Sequence, residues 1–352
     1  MKKFLISIIA LLMLVACGSP TPSGPEENKV LKLFNWGEYI GEETISNFES
    51  EYGVRVVSSY YSSNEEMYVK LQSGEKFDII IPSDYMIQRL IEEDQLEKID
   101  VSKLDNFGNL MDSVLNRPFD PENEYSVPYL WGNVGLVYVK DKVDEADLKS
   151  QGWDILRNEK YRDRIFMYDS ERDGFMLALK ALGYSMNTDD LGELEEAYNW
   201  LLDMNAQTKP IYMMDEIIDQ TLIEQKDISV MYSGDAAYVT SENERLGYYV
   251  PEQGTNTWLD SMVIPANAEN KDLALKFIDF MLQHEQALDL VTTVGYTTVL
   301  QSVYDEVTSE GEVYYQNNAF LQEPGQLDEE FHYNADTRPI LADYWNKVKA
   351  SK

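Results

Sequence analysis

Val30-Leu31-Lys32-Leu33-Phe34-Asn35 opens a run in which short apolar strands alternate with amphipathic helices. Glu43 to Tyr52 follows with helical spacing and closes at Gly53, and Val54 to Tyr60 reads as a second strand. Asn64 to Ser73 is a second helix closed by Gly74; Phe77 to Ile81 is a third strand, stopped by Pro82, before a helix over Tyr85 to Glu93. Strands that alternate with helices predict a largely parallel, helix-covered α/β sheet. Such sheets take ligands off the carboxyl ends of their strands, which singles out Trp36 to Tyr39 and Ser83 to Tyr85.

Working outward, a second α/β region starts around Val134 to Val139. Its strands are Arg164 to Tyr168 and Ile228 to Tyr232, and its helices lie near Phe175 to Leu182 and Leu191 to Leu202. The strand ends here deliver Asp169 to Asp173 and Tyr232 to Asp235. The stretch Trp258-Leu259-Asp260-Ser261-Met262-Val263-Ile264-Pro265 and one long helix from Lys271 to about Val291 read as a return to the first region. A last helix spans about Arg338 to Lys349. Some 320 residues after Val30 are too many for one small core, so two lobes are expected.

Ahead of this globule, Lys2 and Lys3 precede an apolar run from Phe4 to Val15, too short to span a bilayer and proportioned like a signal-peptide core. It ends in Leu14-Val15-Ala16-Cys17-Gly18, which looks like a bacterial lipobox with cleavage before Cys17 and lipid on the cysteine. Cys17 is the only cysteine in 352 residues, so neither an internal disulfide nor a thiolate metal site is available. The Pro/Gly/Ser-rich stretch from Gly18 to Pro25 and the polar residues to Lys29 then read as a tether.

The chain carries 63 acidic against 29 basic residues, a net charge of −34. This excludes a nucleic-acid ligand, whose phosphates must be neutralised by Lys and Arg, and favours the approach of a cation. Aromatics stand beside carboxylates at the strand ends: Trp36-Gly37-Glu38-Tyr39, Ser83-Asp84-Tyr85, Asp169 to Asp173, Trp258-Leu259-Asp260 and Gly295-Tyr296. An aliphatic polycation needs that mixture. Carboxylates pair with its ammonium groups, and aromatic faces cover the methylenes and add ~0.5–2 kcal/mol of cation–π attraction per contact.

Catalytic signatures are absent. His284-Glu285-Gln286-Ala287-Leu288 lacks the second histidine of a zinc-protease helix, and no nucleophile elbow, Walker loop or dinucleotide glycine loop occurs. Asp169 to Gly174 starts like a calcium loop, but its closing position falls on Lys180. No cofactor or metal is implied. An extracellular lipoprotein hydrolase or an adhesive scaffold stays open as an alternative class, as does a binding protein for a sugar or amino acid.

Leu33-Phe34-Asn35-Trp36-Gly37-Glu38-Tyr39 resembles the opening of the spermidine/putrescine-binding proteins of ABC polyamine importers. So do Tyr60 to Tyr68, Asp78-Ile79-Ile80-Ile81-Pro82-Ser83-Asp84-Tyr85, Asn116 to Pro121, Tyr125 to Gly132, Leu182 to Ser185, Leu259 to Pro265 and Gly295-Tyr296, in order along the globule. The resemblance implies a type II periplasmic-binding fold: two α/β lobes joined by two crossover strands, closing on ligand by a hinge. In that scheme residues 1–16 are signal, 17–29 tether, 30–134 and 258–301 the first lobe, and 135–257 and 302–352 the second.

Carried over by matching position, Trp36, Glu38, Tyr39, Ser83, Tyr85, Tyr232, Trp258, Asp260 and Tyr296 would line the cleft, with Asp260 as the main carboxylate partner of an amine. Relatives place two carboxylates three residues apart where this chain has Ser170 and Asp173. Asp84 is the expected replacement for the lost carboxylate, unless it only caps the helix that follows. A glutamine late in the relatives falls on His332. The implied partners are a polyamine, the permease subunits of an importer, and a membrane reached through Cys17; the implied protein is a monomer.

Overall fold

The computed structural model describes residues 29–213, 218, 225–321 and 324–351. The proposed signal peptide, Cys17 and nearly all of the tether lie outside the described residues. Strands β1 (Val30–Trp36), β2 (Arg55–Tyr61) and β3 (Ile79–Ile80) pair in parallel in the order β2-β1-β3. Helices Thr44–Tyr52, Asn64–Gln72 and Asp84–Glu92 alternate with them, and Gly53 and Gly74 end the first two with left-handed backbone. β1 reads alternately because it is central: Leu31 and Leu33 enter one core with Phe48 and Phe277, and Phe34 enters another with Tyr61 and Phe77.

β4 (Ser126–Val139) is the element that makes two lobes into one molecule. Its first half pairs antiparallel with β9 (Thr257–Val263), and its second half pairs with β7 (Ile228–Tyr232) and β8 (Leu246–Tyr249). β5 (Ile165–Tyr168) runs parallel to β6 (Ile211–Met213) and β7, and the short β10 (Thr297–Thr298) pairs with β4. The whole sheet is ordered β2-β1-β3-β9-β4-β7-β5-β6. The parallel strands expected from the alternation are thus present in each half, while β4 and β9 cross between the halves antiparallel. Among the described residues no helix is long and apolar enough to cross a membrane.

Several boundaries depart from the sequence reading for physical reasons. The single helix expected from Lys271 to about Val291 is two, Lys271–Met281 and His284–Val294. Side chains from a neighbouring loop hold the break: Asn106 bonds Asp279, and Asn109 Nδ2 donates to the Leu282 carbonyl at 3.1 Å. The helix expected from Phe175 begins at Glu171, because Ser170 caps it by accepting from the Asp173 amide. Residues 302–352 also divide. Helix Gln301–Val307 and the segment to Phe320 pack against β10 and helix His284–Val294, through Tyr314 Oη to the Val291 carbonyl and Tyr314 stacked on Phe320. Helix Arg338–Ala350 packs on helices Glu171–Leu182 and Leu191–Thr208, and the segment before it reaches the first of them through Lys180 Nζ, which donates to the Leu327 carbonyl and to Glu329.

Candidate ligand cleft

The strand ends converge on one cavity of about 1270 Å³. All twelve residues expected to line a cleft do line it: Trp36, Glu38, Tyr39, Ser83, Asp84, Tyr85, Ser170, Asp173, Tyr232, Trp258, Asp260 and Tyr296. His332 is exposed and does not, although its neighbours Phe331 and Tyr333 do.

Each wall is built by a local device. Beyond β1 the chain turns through Glu38, whose φ of 51° leaves its side chain exposed, and returns Tyr39 to the interior. The Tyr39 carbonyl is pinned by Asn35 Nδ2 at 2.7 Å and by the Tyr129 hydroxyl at 2.8 Å. Trp36 Nε1 donates to the Ile81 carbonyl at 2.8 Å, which fixes the indole against the end of β3. Across the cleft, Tyr296 lies against Gly234, where a Cβ would come within 2.2 Å of the ring. Trp258 likewise rests over Gly132, where a Cβ would meet the indole at 2.6 Å. Any other residue at either glycine would push an aromatic wall out of place.

The aromatics form a continuous row. Ring centroids lie 5.5 Å apart from Tyr39 to Tyr296, 5.3 Å from Tyr296 to Trp258, 6.5 Å from Trp258 to Tyr232 and 4.3 Å from Tyr232 to Tyr168. Carboxylates are hung along this row by tyrosine hydroxyls. Tyr39 donates to Asp260 at 2.9 Å, Tyr232 to Asp173 at 2.7 Å, and Tyr168 and Tyr296 to Asp235 at 2.7 and 2.9 Å. Asp235 is a cleft residue that the sequence reading passed over. It ends the strand-end segment Tyr232 to Asp235, but its partners come from two distant parts of the chain.

Burial decides the electrostatics. Asp260 is 5% exposed. Burial pushes its carboxyl up to about 7, against the Ser83 and Tyr39 hydroxyls, which favour the ionised form. Among the described residues its Oδ1 accepts no hydrogen bond, and Trp258 Nε1, two residues away, donates none. Asp173 is also raised by burial, opposed by Ser170 and Tyr232. Asp84 is pushed far up by burial and then by Glu330, and both its oxygens are engaged, accepting from the Tyr85 amide at 2.6 Å and the Leu259 amide at 3.3 Å. Asp84 is not the helix cap: Ser83 holds that position, and Asp84, the first residue of the helix, ties its start to β9.

The cationic lining residues are mostly neutralised within the protein. Lys349 donates twice to Asp169, at 2.7 and 3.0 Å. Arg172 stacks 3.4 Å above the Tyr85 ring and donates to Glu65 at 3.0 Å. That contact joins the helix after β5 to the helices flanking β3, so it closes one lobe on the other. The cleft is therefore an aromatic trough lined by buried carboxyl groups, whose ionised forms burial disfavours.

A family model described as bacterial extracellular solute-binding protein matches residues 43–319. The chain belongs to that family. This solute-binding protein is 33% identical over 332 residues to the spermidine/putrescine-binding periplasmic protein of Salmonella typhimurium, covering 93% of each chain. It is 36% identical over 275 residues to the protein of the same description from Escherichia coli, covering 78% of each. A solved structure of a spermidine/putrescine ABC transporter substrate-binding protein from Streptococcus pneumoniae superposes with a TM-score of 0.76 at 35% identity, over 92% of this chain and 99% of that one. This solute-binding protein therefore has the two-lobed fold that its sequence resemblance implied.

Proposed function

We propose that the protein captures a polyamine, spermidine or putrescine, in the cleft by hinge closure and delivers it to the permease of an ABC importer. The observation that carries the reading is Asp260: a buried carboxylate with one oxygen that accepts no hydrogen bond among the described residues, set within the aromatic row. An ammonium group would satisfy Oδ1 and return the carboxylate to its ionised form, while Trp258, Tyr296 and Tyr232 cover the methylenes. Asp173 and Asp235 offer further negative charge along the same row. The names of the relatives support the same ligand class, since two are spermidine/putrescine-binding periplasmic proteins.

The cleft reads as a site for binding: Asp260, Asp173 and Asp235 are held by tyrosine hydroxyls, and Asp84 by backbone amides. An amino-acid ligand would need a cation for its carboxylate; of the lining cations, Arg172 is committed to Glu65 and Tyr85 and Lys349 to Asp169, which leaves Arg338. The protein acts as a monomer outside the cytoplasm, anchored by lipid at Cys17, with the lobes meeting along β4 and β9. A thermal-shift panel of polyamines, amino acids and sugars on the chain from Gly18 onward tests the reading. Ligand at about a hundred times Kd stabilises by ~2.7 kcal/mol; polyamines should raise the Tm and the other two classes should not. Stabilisation by amino acids or sugars alone would refute the assignment.

A further inference from the structure

The family pattern loses a carboxylate at Ser170, and the structure shows why Ser170 cannot stand in for it. Its hydroxyl is spent as the helix cap, and serine carries no charge to set against an ammonium. Asp84 is no substitute either, since the Tyr85 and Leu259 amides occupy both oxygens. The next residue, Glu171, is different. It lines the same cavity at the first position of the helix Glu171–Leu182, next to Asp173 and the end of the aromatic row.

Among the described residues the Glu171 carboxylate makes no hydrogen bond and no ion pair, and burial raises its affinity for a proton. The cations whose fields reach it are Arg172, Arg338 and Lys349. Arg172 answers Glu65 and Lys349 answers Asp169, and none of the three pairs with Glu171. The helix N-terminus at Ser170 favours negative charge there.

The geometry points to Glu171 as the acceptor for the outermost ammonium of a triamine, and so as the residue that lets this cleft take spermidine as well as putrescine. The inference rests on the polyamine reading of the cleft. A diamine is satisfied by the buried carboxylates along the row, led by Asp260. A third charge needs a further carboxylate, and among the described residues that line the cavity only Glu171 and the exposed Glu38 make no hydrogen bond or ion pair; of these two, Glu171 is the partly buried one beside Asp173.

Calorimetric titration of the wild type and Glu171→Gln with both polyamines tests this. Because Glu171 is only partly buried, its loss should weaken spermidine by about tenfold, below the cost typical of a fully buried pair. Putrescine should change by less than about twofold. If the wild type binds neither polyamine, the functional reading itself fails. If it binds putrescine alone, or if Glu171→Gln weakens both ligands equally or neither, the assignment of Glu171 is wrong while the functional reading stands.

Discussion

Replacing Asp260 by asparagine should move stability and affinity in opposite directions. In the ligand-free protein the carboxyl titrates at about 7 instead of 3.8 because it is buried. At about 1.36 kcal/mol per pH unit, keeping it ionised costs on the order of 4 kcal/mol. A raised carboxyl makes the folded protein bind more protons than the unfolded chain between about 4 and 7. The penalty is therefore absent below that window, grows as pH rises through it and is complete above it. Asp260→Asn removes the penalty and keeps an oxygen for the Tyr39 hydroxyl, so the ligand-free variant should melt higher than wild type at pH 8. Near pH 4 that advantage should be gone.

Binding should respond the other way, because an ammonium left facing an amide loses its counter-charge inside a closed cleft. Loss of such a pair costs roughly 2–5 kcal/mol, or about 30- to 5,000-fold in Kd. The same carboxyl makes wild-type affinity fall as pH drops below about 7, by up to about tenfold per pH unit, since the ligand must then displace a proton. Asp260→Asn should flatten that dependence. Calorimetry with putrescine at pH 6 and 8, with melting curves alongside, measures all three effects. A change in Kd below about threefold, or a ligand-free variant that melts lower at pH 8, would refute the reasoning.

Further outcomes follow from the same contacts. Tyr232→Phe keeps the ring but removes the donor to Asp173, so the Asp173 carboxyl should rise further and the loss of binding should grow as pH falls, read by calorimetry across a pH series. Arg172→Gln breaks the stack on Tyr85 and the pair with Glu65 that join the lobes, so stopped-flow dissociation should speed several-fold for both polyamines; an unchanged rate would remove Arg172 from closure. Cys17→Ala should release the protein from the membrane fraction with ligand affinity unaltered, and membrane retention would refute the anchor.

The positions of the site were legible from strand ends because a strand followed by a turn carries its signal locally. Trp36 and Tyr39 could be placed from the alternation of Leu31, Leu33 and the residues around them, and Ser83 to Tyr85 from Pro82. What each carboxylate does there was not legible. Asp235 enters the cleft because Tyr168 and Tyr296 reach it from 67 and 61 residues away. Asp84 looked free to meet a ligand until β9 supplied the Leu259 amide, 175 residues distant. Ser170 stands where the relatives carry a carboxylate, and its use as a cap starts the helix early and sets Glu171 at its first position. The break after Met281 has no glycine or proline to announce it, and is written instead in Asn106 and Asn109.

A crystal structure of the protein grown with spermidine tests the central claim most directly. It should show the polyamine threaded along Tyr296, Trp258 and Tyr232, with one ammonium nitrogen about 2.7–2.9 Å from Asp260 Oδ1, the spacing of a charge-assisted bond. A cleft that closes without spermidine inside it, or spermidine bound with no nitrogen at Asp260, would contradict the account.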